Sequence, residues 1–203
     1  MQRSIILAGG EGERTRRFIK RWLGSHRPKQ YCRFVGRRSM FQHTVDRADR
    51  TSPGVHRFSV VSEGHRSFVR TQLRGRPTGR LLRQPENRGT AAGILWPISC
   101  LMRKHPDDVV VIYPSDHFIW PEGAFVSAVS AAVREVERNP DRVVLLGRNP
   151  LAWSSTTAGF SPMAKRAASA PVVFEEYIAS WRSRPRARRK ARSRTGRSGI
   201  HRS

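Results

Sequence analysis

The amino-acid sequence predicts an α/β domain, a mostly parallel sheet with helices on both faces, followed by a basic tail. Three observations predict it. Short apolar runs alternate with segments of helical period along residues 1–150, the order from which parallel sheets are built. Asp108 to Tyr113, DVVVIY, carries a continuous β-branched run of the kind a central parallel strand requires. The first apolar run, Ile5 to Ala8, opens directly into Gly9, Gly10 and Gly12, as a buried strand does when it delivers a loop rich in accessible backbone.

Each element follows in order. After the glycine loop and a crowd of cations ending at Pro28 and Lys29, Ser39 is placed to cap a helix over Met40 to Arg50, where Phe41, Val45 and Ala48 recur at helical spacing. Residues 51–54, TSPG, stop it. Arg57 to Ser62 reads as a second strand, and Glu63 to Arg74 as a helix with Phe68, Val69 and Leu73 inward. Gly75 to Gly79 is a turn and Arg80 to Arg83 a short third strand. Thr90 opens a helix to about His105, with Ile94, Leu95, Ile98, Leu101 and Met102 as its apolar stripe and Pro97 inside it. After DVVVIY, Pro121 stands at a helix start, and Phe125, Val129, Ala132, Val133 and Val136 share one face before Asn139 and Pro140 end the element. Arg142 to Leu146 reads as a further buried strand.

Composition bounds the rest. At 203 residues the chain suits one sizeable domain plus a tail, here residues 1–150 and 151–203. The formal charge of +24 admits nucleic acid, an anionic surface or a phosphorylated substrate as partners, but it is uneven: from Trp181 onward there are many arginines and no Asp or Glu. Cys32 and Cys100 stand far apart without a zinc spacing, which fits a reduced cytoplasmic compartment. No run is long enough for a signal-peptide core or a membrane span, so a soluble protein without a membrane partner is expected.

The stretch Ser4 to Gln30 is built for an anion. Glycines let amides close on a phosphate while Arg and Lys neutralise it, although a glycine turn with solvated arginines has the same composition. No Walker A Gly-Lys-Ser/Thr follows, and the full GxGxxG is absent. LAGGEGERTR followed by RPKQ resembles the signature of the sugar-1-phosphate nucleotidyltransferases, GGxGxRLxP then PK. With QPENRGTAAGI and YPSDH in the same order, residues 3–150 are similar to the mannose-1-phosphate guanylyltransferases, which form GDP-mannose and pyrophosphate from GTP and mannose 1-phosphate.

The resemblance implies a Rossmann-like nucleotidyltransferase fold and a set of site residues. Leu7, Ala8, Gly9, Gly10 and Gly12 would meet the nucleotide, the glycines admitting main-chain amides to the triphosphate. Arg14 and Lys29 match the signature cations and would carry catalysis by binding phosphate oxygens as charge builds on the leaving pyrophosphate. Gln84, Asn87, Gly89 and Thr90 match the nucleotide-contact segment, where a polar turn with a cap at Thr90 needs no ligand at all. Asp116 would hold Mg²⁺, an ion that usually takes one or two carboxylates, waters and substrate phosphates; a turn aspartate is the alternative. His117 receives no catalytic role.

Departures from the pattern are several. Glu13 replaces a usual Thr, and either repels the triphosphate or pairs with Arg16 or Arg17; Thr15 replaces a Leu and Arg17 a Pro. Gly93 falls in a helix where Ala is commoner, at a cost of up to about 1 kcal/mol. Beyond Pro150 the family's tyrosine-glycine, FxEKP and tryptophan-asparagine-serine blocks are missing, so the enzyme is expected to be truncated, with weak or no turnover. Residues 151–203 read as an aberrant, disordered Arg-rich tail. A reading-frame change accounts for it: a shifted frame can read residues 158–160 as Gly-Trp-Ile and 197–201 as Leu-Trp-Asn-Ser, two of the missing blocks in order. The competing reading is a basic arm that binds nucleic acid non-specifically.

Overall fold

The computed structural model describes residues 1–147. Strands β1 (Gln2–Leu7), β2 (Arg57–Ser62), β3 (Arg80–Gln84) and β4 (Val109–Pro114) form one four-stranded sheet in the order β3-β2-β1-β4. Every pairing is parallel, with Ile5 opposite both Phe58 and Ile112, and Val60 opposite both Leu7 and Leu82. The helices are α1 (Arg16–Leu23), α2 (Met40–Asp49), α3 (Arg66–Gln72), α4 (Gly89–Met102) and α5 (Glu122–Arg138).

Because side chains alternate along a strand, Ile5 and Ile6 enter opposite layers. Ile6, Val61 and Tyr113 pack with Phe41 and Val45 of α2, Val69 of α3, and Val129 and Val133 of α5. Ile5, Phe58 and Val60 pack instead with Leu101 of α4. Helices therefore cover both faces, and each fully buried aliphatic side chain contributes about 1.5–3 kcal/mol. The start of α2 is set locally: the Ser39 hydroxyl accepts from the Gln42 amide at 3.1 Å while the Gln42 carboxamide accepts from the Ser39 amide at 3.0 Å, a complete capping box. The expected turn at 75–79 also forms, with Gly75 and Gly79 both at positive φ.

Several expectations are corrected. The cation-crowded stretch after the loop contains α1, which the arginines concealed; Ile19 is its buried anchor, and Gly24 at φ 72° ends it. The second helix-forming segment begins with a 3-10 turn, Glu63–His65, before α3. The expected stripe on α4 is buried only in part: Leu101 is buried and Ile98 packs against the core, whereas Leu95 and Met102 are 62% and 63% exposed and Gly93 and Pro97 take the buried face instead. Small residues let the helix approach the sheet closely, so the large ones turn out. Thr90 lies inside α4 rather than capping it; Arg88 holds the cap position without a side-chain bond.

DVVVIY is not central. β4 is an edge strand among the described residues, and only Tyr113 of Val109 to Tyr113 is fully buried. Arg142 to Leu146 forms no strand; Val143 and Leu145 are exposed, and the segment borders a 450 Å³ apolar cavity shared with β4 and α5. An apolar run reports a preference for burial but not a pairing partner. The expected domain boundary at 150 and the tail 151–203 lie outside the described residues.

Candidate functional site

β1, β3 and β4 deliver loops to one rim of the sheet, where ligands of parallel sheets bind. A 310 Å³ cavity lies there, and Leu7, Gly9, Gly10, Gly12, Lys29, Gln84, Asn87, Gly89, Thr90 and Asp116 all line it. Three sequence blocks separated by many residues thus meet around one space. Ala8 does not line it: the residue is buried behind the loop. Nor does Arg14, whose side chain is exposed on a 3-10 turn, Glu13–Thr15, with no carboxylate partner among the described residues.

The glycine loop is held by its carbonyls. Leu7 O accepts from the Ser115 hydroxyl at 2.6 Å and the Ser115 amide at 3.2 Å. Ala8 O accepts from Gln30 Nε2 at 2.9 Å and the Tyr31 hydroxyl at 3.0 Å, with His65 Nδ1 at 3.4 Å. The Ser62 hydroxyl donates to Gly9 O at 2.7 Å, Gln30 Nε2 to Gly10 O at 2.8 Å, and the Thr15 hydroxyl to Gly12 O at 3.0 Å. The amides of Gly9, Gly10 and Gly12, by contrast, have no acceptor among the described residues. A loop tied by its acceptors and left with free donors has the arrangement on which anion-binding loops rely.

Glycine is required at Gly12, which lies at φ 68° and where a Cβ would stand 3.0 Å from the Lys29 amide. Thr15, a departure from the family pattern, replaces the apolar anchor with a hydrogen bond. Glu13 takes the second of its two expected courses, receiving Arg16 Nη1 at 3.0 Å away from the cavity lining. The other loop carboxylate, Glu11, has the buried His65 Nε2 at 3.3 Å. Burial pushes the Tyr31 hydroxyl far above its ordinary pKa, so it serves the loop as a neutral donor.

Lys29 Nζ lies 3.4 Å from Asp116 Oδ2, and both side chains are partly exposed, at 33% and 47%. Among the described residues Asp116 is the one carboxylate lining the cavity, and no group of three or more His, Cys, Asp or Glu able to hold a metal occurs. That donor set fits Mg²⁺ carried on phosphates and completed by water, not a cage built by protein alone. The Asn87 carboxamide accepts from the Gly89 amide at 3.0 Å, and Gly89 adopts φ 80°, so the turn entering α4 is shaped locally. Gln30, Ser62, His65 and Ser115 were not foreseen as site residues. Gln30 ends the PKQ run and Ser115 lies within YPSDH, so both carried a signal; Ser62 closes β2 and His65 stands on the 3-10 turn after it, and their reach depends on the folded sheet.

A family model described as nucleotidyl transferase matches residues 3–149. The chain belongs to that family. Among curated relatives, the xanthan biosynthesis protein XanB of Xanthomonas campestris pv. campestris (strain B100) is 30% identical over 86% of this chain and 36% of its own length. A mannose-1-phosphate guanylyltransferase of Escherichia coli is 30% identical over 64% of this chain and 28% of its own. The chain therefore spans roughly a third of the curated relatives it matches. A solved structure from Thermus thermophilus, described as mannose-1-phosphate geranyltransferase, superposes with a TM-score of 0.56 at 22% identity, covering 75% of this chain and 47% of that one. The two share a fold over that span. No helix among the described residues is long and apolar enough to cross a membrane.

Proposed function

We propose that this chain is the nucleotide-binding part of a mannose-1-phosphate guanylyltransferase, taking GTP with Mg²⁺ at the rim cavity and mannose 1-phosphate as the second substrate. The observation that carries the reading is the glycine loop with its carbonyls tied and its amides free, beside Lys29 and Asp116. Names among relatives at about 30% identity support guanine and mannose. In the reaction a sugar-phosphate oxygen forms a bond to the α-phosphorus of GTP, and the bond from that phosphorus to the bridging oxygen breaks, releasing pyrophosphate. Gly9, Gly10 and Gly12 amides hold phosphate oxygens in place, and Lys29 meets the charge that grows on the leaving group. Arg14, exposed beside the loop, adds a second cation when a triphosphate is bound. Asp116 is the residue to hold Mg²⁺, which when bound neutralises phosphate charge. Asn87 and Gln84 stand where base or ribose groups reach the start of α4.

A second reading, binding without turnover, is favoured by residues 151–203, in which the sugar-phosphate blocks are not recognisable. Titration with GTP and ATP in Mg²⁺, beside pyrophosphate release with mannose 1-phosphate, tests both. GTP binding that exceeds ATP binding is expected, with release weak or absent. Failure to bind any nucleoside triphosphate would overturn the site assignment, and tighter binding of ATP would move the chain to another sugar-nucleotide reaction.

A further inference from the structure

From Arg14 to Arg38 the chain carries no Asp or Glu. Arg16, Lys29 and Arg38 are paired with Glu13, Asp116 and Asp46, and Arg27 lies over the Phe68 ring. Arg14, Arg17, Lys20, Arg21, Arg33 and Arg37 are exposed with no carboxylate partner among the described residues. At about 100° per residue, Arg16, Arg17, Lys20 and Arg21 fall in one arc of α1, and Phe18, Ile19, Trp22 and Leu23 in the other. Ile19 alone of these is buried.

The apolar remainder is exposed and continuous. Phe18 is 61% exposed, Trp22 47% and Val35 51%. The Phe18 and Trp22 rings stack at 6.1 Å between centroids, and Trp22 stacks on Phe34 at 5.4 Å, so helix α1 and the 33–37 loop make one aromatic ridge extended by Leu23 and Val35. The ridge is flanked by uncompensated cations.

We propose that this ridge is a peripheral docking surface for an anionic lipid bilayer, with Phe18, Trp22, Leu23, Phe34 and Val35 entering the boundary between headgroups and acyl chains. Segregated basic and apolar arcs on a surface helix suit that boundary, and the flanking cations meet anionic headgroups. Charge alone would suit nucleic acid equally, but a base-stacking platform is built from aromatic rings, and here Leu23 and Val35 put exposed aliphatic side chains beside them. Lipid accepts such aliphatic surface, and bases gain no stacking from it. None of the five apolar residues lines the nucleotide cavity, and the surface requires no spanning helix.

Co-sedimentation of the full chain with phosphatidylcholine vesicles, with and without phosphatidylglycerol, tests it against the charge-matched variant Phe18→Ser/Trp22→Ser. Binding to anionic vesicles is expected to fall about tenfold or more in the variant, with circular dichroism and melting checking the fold. Unchanged binding would overturn the proposal, because the arginines of the C-terminal stretch would then suffice. Should the double variant not fold, Phe34→Ser and the exposed reversal Arg17→Glu/Arg21→Glu each have to weaken vesicle binding for the ridge to stand. A fluorescent oligo-dT titration runs in parallel: loss of oligonucleotide binding without loss of vesicle binding would reassign the ridge to single-stranded nucleic acid.

Discussion

Lys29 and Asp116, 87 positions apart in the chain, meet at 3.4 Å beside the glycine loop. Under the proposed function each would exchange the other for a ligand: Lys29 for phosphate, Asp116 for a metal ion. The pair holds both in the cavity before a ligand arrives, and its partial exposure keeps it weak enough to open.

This pairing makes the effect of Asp116→Asn depend on metal. Without Mg²⁺, removing the carboxylate frees Lys29 and lowers the negative charge facing a triphosphate, so metal-free GTP should bind about two- to fivefold more tightly. With Mg²⁺ the same variant should bind GTP more weakly than the parent. Titrations in EDTA and in Mg²⁺ check the crossing of sign; weakening in both would show that Asp116 acts without a metal.

Gln30 donates to two loop carbonyls at 2.9 and 2.8 Å and is buried. Gln30→Ala should cost about 1–3 kcal/mol of stability, because two hydrogen bonds of about 0.5–1.5 kcal/mol each are lost, Ala8 O keeping only the Tyr31 hydroxyl close by. It should also weaken nucleotide binding, since the free amides are positioned by those carbonyls. Urea unfolding and GTP titration of the same variant separate the two effects.

Two glycines at the cavity should respond oppositely to alanine. At Gly93, inside α4, a Cβ would meet Gln84 and Leu7 only at 3.7 and 3.8 Å, ordinary contact, so Gly93→Ala should stabilise by about 0.4–1 kcal/mol. At Gly12 the positive φ and the 3.0 Å approach to the Lys29 amide make Gly12→Ala destabilising by about 1 kcal/mol or more. Denaturant midpoints read both signs.

Desolvation pulls the Asp108 carboxyl upward, but hydrogen bonds and charge from Arg3, at 2.5 Å, and from the Met1 ammonium, at 3.2 Å, outweigh it and hold the group below the ordinary carboxylate range. A lowered folded pKa means that the unfolded chain takes up the proton first as pH falls. The stabilisation is complete above the unfolded value, about 3.9, and is lost as pH drops through the folded value. Asp108→Asn should lower stability near neutral pH and flatten its decline below about pH 4; urea unfolding across that range is the check.

Features that depend on neighbouring residues alone were legible in the sequence. The bounds of β2, the Ser39 cap of α2 and the turn between Gly75 and Gly79 all rest on local periodicity, capping chemistry or positive φ. The glycine loop, QPENRGT and PSDH could be assigned to one rim because strand and helix alternate, and parallel sheets place such loops together. The tertiary structure alone decided which acceptors the loop surrenders to Gln30, Ser62, Tyr31 and Ser115, and hence that its amides are left free. It also decided that Lys29 faces Asp116, that Arg14 and Ala8 stand off the cavity, and that DVVVIY is an edge strand. Those outcomes turn on distances between residues far apart in the chain. Hydrophobicity and propensity register how much a residue gains by burial, and they carry no record of which neighbour the folded sheet will set beside it.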